Sequence, residues 1–493
     1  FIVILLALVL LCLNGFLFKY TFKGDMNANT IRLQFQRGQI DACAIAALFA
    51  RGQLSPLAFT EACLTAAKET QGIFITLTPE RARQEAAAST QRWREGAPLS
   101  PLDGIPVCWK DLFDIAGTRT TAGSATRLDA PLATHDAGMV ARLTQAGMVT
   151  IGKTNLSEFA FSGLGINPTF TTPALLATDG EEHVPGGSSS GAARAVAQGV
   201  ACIAIGTDTA GSVRIPAAFS GVIGFRASRH RYDASGVFPL AASLDTLGPL
   251  CRSVRDAYAL DVILCGEETT SSTVSRLIVD PEILNAADIS VRDNSASLLS
   301  RLAASGVVVE YRRLPALHEA LTWIAHHGWP GAIEAFQLHA SLLASPAATA
   351  MDPLIRRRLL ASGTIDPAVL TTFLRLRPIW QQALAEELNG AILVTPTVAH
   401  TAPRLAPLQA DAEAFAFANS ATLRLTMPGS LLDMPGLAVP SGTTANGLYT
   451  SLLFSSPNGE DRSLLSAACA VAHLLAPSKG DGANSLSLNS KGK

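Results

Sequence analysis

Short apolar runs alternate with amphipathic stretches between residues 104 and 205, and this alternation limits the possible folds more than any other feature. Gly104 to Val107 leads into a strand ending near Lys110. Asp136 to Ala146 has helical spacing, and Met148 to Gly152 is again a strand. The Ala-rich run Gly191 to Val200 reads as a helix and Cys202 to Ile205 as a buried strand. Apolar strands without in–out alternation are buried on both faces. Joined by helices, they make an α/β protein with a largely covered sheet.

The flanking sequence fits that class. Ile40 to Lys68 suggests two amphipathic helices broken by Gly52 and Pro56, and Pro79 to Glu95 a third with proline in its first turn. Residues 266–390 are helix-rich, including Asp352 to Leu360 and Pro367 to Leu388, and Ala391 to Val394 returns to the strand pattern. Thr395 to Thr444 is a long stretch punctuated by Pro, Gly and Thr. A last helix runs to Leu475, with Ser463 as the expected N-cap. With no internal repeat or clear linker, residues 26–477 read as one large domain, and the Gly/Ser/Asn/Lys-rich tail 478–493 as disordered.

Composition narrows the partners. The chain is 48% hydrophobic and 16% charged with a net charge of −2, and it shows no basic stripe of the kind that binds nucleic acid. A small-molecule partner is expected. The eight cysteines are scattered without a C-x-x-C, and the adjacent His326 and His327 point in different directions on a helix. No metal and no cofactor are expected.

Residues 1–25 stand apart. Phe1 to Phe18 is apolar apart from Asn14 and Gly15, long enough for a short membrane span, and Met26 opens a segment like an ordinary start. The segment reads equally as a membrane anchor or as a mis-called upstream start. Lys19 and Lys23 follow it, so an inserted segment would keep the body cytoplasmic.

Chemistry concentrates in Pro185-Gly186-Gly187-Ser188-Ser189-Ser190-Gly191 and Gly206-Thr207-Asp208-Thr209-Ala210-Gly211-Ser212. Glycine lets a backbone come close to a ligand, and a serine in such a turn presents its hydroxyl beside N–H groups. A hydroxyl needs a base before it attacks, and no histidine motif stands nearby. Alone, GGSSSG is also what a plain flexible loop looks like. It formally matches G-x-S-x-G with Ser189 as nucleophile, but the polar segment Thr178 to Pro185 precedes it where that motif needs a buried strand. No Lys-Ser/Thr follows at the spacing of a phosphate-binding loop.

Taken together with Gly104-Ile105-Pro106-Val107-Cys108-Trp109-Lys110-Asp111 and Gly152-Lys153-Thr154-Asn155-Leu156-Ser157-Glu158-Phe159, these stretches resemble the amidase signature family. The likeness is strong over residues 40–265 and loose over 390–475. It implies an α/β fold with a central mixed sheet covered by helices on both faces. It also implies amide hydrolysis by a Ser–cis-Ser–Lys triad, mapping onto Ser212, Ser188 and Lys110. Ser212 would be the nucleophile, Ser188 the proton relay after a cis bond to Gly187, and Lys110 the base.

For Lys110 to act as a base, burial must disfavour its ammonium form, and the apolar run Ile105–Trp109 suits this. The alternative is an ion pair with Asp111 or Asp114. Backbone N–H groups of Thr209, Ala210, Gly211 and Ser212 are the expected oxyanion hole, with Asp208 and Arg214 bracing the loop.

Ala210 stands where the family commonly has glycine, and 170–184 and 447–453 depart from the family pattern, which bears on the substrate. A stand-alone amide hydrolase is the first expectation. The alternative is the glutaminase-type component of a tRNA-dependent amidotransferase. The motifs carry no information on oligomeric state.

Overall fold

A computed structural model describes residues 27–266 and 276–475; the apolar segment 1–25 and the tail 478–493 lie outside these. In chain order the described strands are β1 (Phe74–Leu77), β2 (Pro106–Lys110), β3 (Val149–Thr154), β4 (Leu175–Leu176) and β5 (Glu182–His183). They continue with β6 (Ile203–Thr207), β7 (Ile223–Arg226), β8 (Leu247–Cys251), β9 (Arg276–Val279) and β10 (Val308–Tyr311). The last are β11 (Ile392–Pro396), β12 (Gly436–Thr443) and β13 (Tyr449–Ser455).

Eleven of them form one mixed sheet in the order β1-β3-β2-β6-β8-β7-β12-β13-β11-β9-β10, and β4 and β5 make a separate hairpin. The β3-β2-β6 and β11-β9-β10 runs are parallel, and the strands between them antiparallel. Parallel strands need crossovers, which the helices Gly138–Gln145 (β2 to β3) and Ser190–Ala197 (β3 to β6) provide.

Every residue of β2, β3 and β6 is buried, the environment predicted by their unbroken apolar runs. Successive strand residues point to opposite faces, so a sheet packed on both sides divides its side chains between two cores. Leu277 and Val279 of β9 and Ile392 and Val394 of β11 enter one core, whereas Ile278 and Leu393 enter the other. This is a single large α/β domain with helices on both faces.

The helix Pro79–Glu95 has the boundaries its sequence suggests, with proline in the first turn and Gly96 left-handed at its end. Two expectations need correction. The last helix is Asp461–Ala470, so Ser463 lies inside it and Glu460 occupies the N-cap. The stretch 395–444 holds the helices Leu405–Ala410, Ala412–Leu423 and Met427–Leu431 as well as β12. Its prolines suggested loop, but Pro428 sits in a first helical turn, where a missing N–H is harmless.

Candidate active site

The β2 and β6 strands lie side by side and parallel, and each ends on a polar residue, Lys110 and Thr207. Open α/β sheets bind ligands beyond the carboxyl ends of such strands. The serine loop crosses this edge just before the helix Ser190–Ala197, and the peptide bond between Gly187 and Ser188 is cis. Gly187 is tightly enclosed. A Cβ there would lie 2.5 Å from the backbone nitrogen of Gly165.

Lys110 Nζ donates to Ser188 Oγ at 2.6 Å and to Thr207 Oγ1 at 2.8 Å. Lys110 and Ser188 are both fully buried. Burial, opposed by Asp245 and Asp208, brings the Lys110 amine down to about 7. A large fraction is therefore neutral near pH 7 and able to accept a proton. Neither acid near it in sequence pairs with it. Asp111 binds Lys153 Nζ at 2.7 Å and accepts from the N–H and hydroxyl of Thr121, and Asp114 accepts from Thr120 Oγ1 at 2.6 Å.

Ser212 closes the loop between β6 and the helix Arg214–Ser220, and its carbonyl accepts the Ser189 N–H at 3.2 Å. One hydrogen bond thus ties the two serine loops together. Ser189 Oγ donates to the Thr207 carbonyl at 3.3 Å, turned toward the chain rather than toward a cleft.

Asp208 organises the second loop. It accepts from the N–H groups of Gly211 (2.8 Å) and Val213 (3.1 Å), and Arg214 grips it with Nε at 2.9 Å and Nη2 at 2.8 Å. Burial alone would raise this carboxyl, but Arg214, Arg226 and these bonds hold it at about 2. Arg214 also reaches the Thr426 carbonyl (3.0 Å) and Ser430 Oγ (2.7 Å), while Thr426 Oγ1 donates to the Ala210 carbonyl at 2.6 Å. Gly211 has φ +138°, and a Cβ there would collide with Thr426 Oγ1. Only glycine suits that position.

The structure therefore brings Lys110 and Ser188 into contact and joins the loops of Ser188 and Ser212. The Gly211 N–H is engaged by Asp208. Among the described residues, the N–H groups of Thr209, Ala210 and Ser212 meet no protein acceptor. Ala210 stays out of the left-handed region.

Sequence reasoning passed over three contributors. Thr207 shares Lys110 with Ser188. Asp245 accepts from Thr209 Oγ1 at 2.5 Å and is itself held by the N–H groups of Leu240 and Ala241. Thr426 braces Ala210. Thr207 stood inside a recognised motif, but nothing around Asp245 or Thr426 marks them, because they reach the loop only through the fold.

The family model described as Amidase matches residues 58–465. A 2-amino-5-chloromuconic acid deaminase from Comamonas testosteroni is 33% identical over 420 residues, 80% of this chain and 87% of that protein. The glutaminase-type component of a glutamyl-tRNA(Gln) amidotransferase from Koribacter versatilis (strain Ellin345) is 28% identical over 501 residues, covering 92% and 99%. A crystal structure described as an amidase superposes with a TM-score of 0.77 at 32% identity, covering 88% of this chain and 99% of that one. The fold and the glycine-serine loops define an amide hydrolase. The chain belongs to the amidase signature family.

Among the described residues no helix is long and apolar enough to cross a membrane. The expected anchor, residues 1–18, lies outside them.

Proposed function

We propose that this amidase cleaves a carboxamide C–N bond through a seryl acyl-enzyme, with Ser212 as nucleophile, Ser188 as proton relay and Lys110 as base. The contact between the buried Lys110 amine and Ser188 Oγ carries the reading, because it gives a hydroxyl a proton acceptor where no histidine stands. Ser212 Oγ attacks the carbonyl carbon and passes its proton to Ser188, which passes its own to Lys110. The N–H groups of Thr209, Ala210 and Ser212 receive the developing oxyanion, with Asp208 holding Gly211 and the loop in shape. As the C–N bond breaks, the relay runs backward and protonates the leaving nitrogen. Water then hydrolyses the Ser212 ester by the same route, freeing the acid.

A fluorophosphonate probe tests this directly. The intact protein is labelled, and Ser212→Ala is not. Labelling that persists in Ser212→Ala would overturn the assignment.

A second reading is favoured by the end-to-end match to the amidotransferase component. In it the same triad releases ammonia from glutamine for a partner. Glutaminase activity that appears only with two copurifying partner proteins would put this reading first. Turnover of simple amides by the isolated chain supports the free hydrolase.

A further inference from the structure

Arginines that are partly or fully withdrawn from water in this protein generally clasp a carboxylate. Arg81 holds Asp136, Arg92 holds Asp103 and Arg231 holds Asp261. Arg127 departs from this. It ends the short turn Ala125–Arg127, half-buried, and its Nε donates to the Thr120 carbonyl at 3.1 Å. Its remaining nitrogens meet no acceptor, and it forms no ion pair, among the described residues. Its guanidinium lies over the Phe238 ring, 4.6 Å from the centroid.

Phe238 belongs to an aromatic cluster. His339 stacks on it at 6.2 Å, and Phe159 packs 4.2 Å from His339 and 6.1 Å from Phe238. His339 is buried with Nε2 lacking a protein partner, and burial together with nearby Arg127 brings it down to about 4, so the ring is neutral near pH 7.

Backbone bonds fasten this cluster to the reaction centre from two sides. The Phe238 N–H donates to the carbonyl of Leu112, two residues beyond Lys110. Phe159 donates to the Ala122 carbonyl, and Ser157, two residues earlier, donates to the carbonyl of Ser188. Each route is a hydrogen bond and a residue or two long, on the order of 10 Å.

We propose that Arg127 binds a carboxylate carried by the amide substrate, beside the aromatic cluster of Phe159, Phe238 and His339. A guanidinium that is partly desolvated, stacked on a ring and without an internal anion is pre-organised for a planar anion. The inference rests on the reading of Ser212 as the reactive serine and adds the substrate class: amides bearing a negative charge near the scissile bond.

The test uses matched amides that differ in a carboxylate: succinamate against butyramide, and 4-carboxybenzamide against 4-methylbenzamide. The wild type is expected to favour the charged member of at least one pair by about tenfold or more in kcat/KM. Arg127→Met should lower that ratio by at least about tenfold, mainly through KM, and Arg127→Lys should restore part of it. In parallel, succinate and terephthalate should slow fluorophosphonate labelling of the wild type and lose that effect in Arg127→Met.

Equal ratios in wild type and Arg127→Met, or a labelled protein that turns over neither charged amide, would overturn the proposal and leave the Ser212 reading standing. Absence of labelling in the wild type would remove the Ser212 reading, and the proposal with it. If Arg127→Met fails to fold, Arg127→Lys against Arg127→Gln decides the same ratio.

Discussion

Two buried lysines stand on neighbouring strands, and their surroundings give them different chemistry. Lys110 ends β2 and Lys153 lies on β3, and in register Lys153 faces Trp109, one residue before Lys110. Both are fully excluded from water. Lys153 is held by Asp111 at 2.7 Å, the Arg119 carbonyl at 2.7 Å and Thr120 Oγ1 at 2.8 Å. Lys110 has the hydroxyls of Ser188 and Thr207. Burial lowers both amines, but the contacting carboxylate opposes it only at Lys153. An ammonium with a bonded anion is a brace, whereas an amine between hydroxyls can exchange protons. The partner therefore decides the role, and burial alone does not.

Three experiments could break that distinction. The largest effect is expected at Lys110, where Lys110→Ala should lower kcat/KM by roughly 100- to 10,000-fold with the far-UV circular dichroism preserved. Retention of full activity would end its assignment as the base.

Lys153→Met should act on stability, lowering it by about 3–5 kcal/mol in denaturant titration because Asp111 is left buried without its cation. Adding Asp111→Asn should recover much of that loss. A Lys153→Met protein as stable as wild type would show that the pair braces nothing.

The smallest effect is in pH. The reactive form of Lys110 is the neutral one and its amine lies at about 7, so kcat/KM should level off above pH 7. Below it the rate should fall about tenfold per pH unit. A flat profile between pH 5 and 7 would remove the lysine from the proton path.

Much of the site was legible in one dimension because its parts are local. The runs ending at Lys110, Ser188 and Ser212 lie at strand ends and helix starts, where glycine spacing and apolar runs leave a trace. Less of the periphery was legible. The β9 and β10 strands fall in a stretch dominated by helical pattern, and β8 carries Gly248 and Pro249 within a strand. The helices around Pro407 and Pro428 are short, and proline in a first turn resembles proline in a loop.

By itself the sequence determined the α/β class, the buried strands β2, β3 and β6, and which lysine and serines belong to the family's motifs. Apolar periodicity and turn chemistry depend on near neighbours, so these properties are written along the chain. Only the tertiary structure decided that Asp111 goes to Lys153 and leaves Lys110 to Ser188 and Thr207. It also decided that Asp245 and Thr426 hold the loop of Ser212, and that Arg127 is left without an anion. A pairing between residues far apart in sequence exists only once the sheet aligns its strands, and the withdrawal from water that shifts the Lys110 amine exists only once both cores have closed over it.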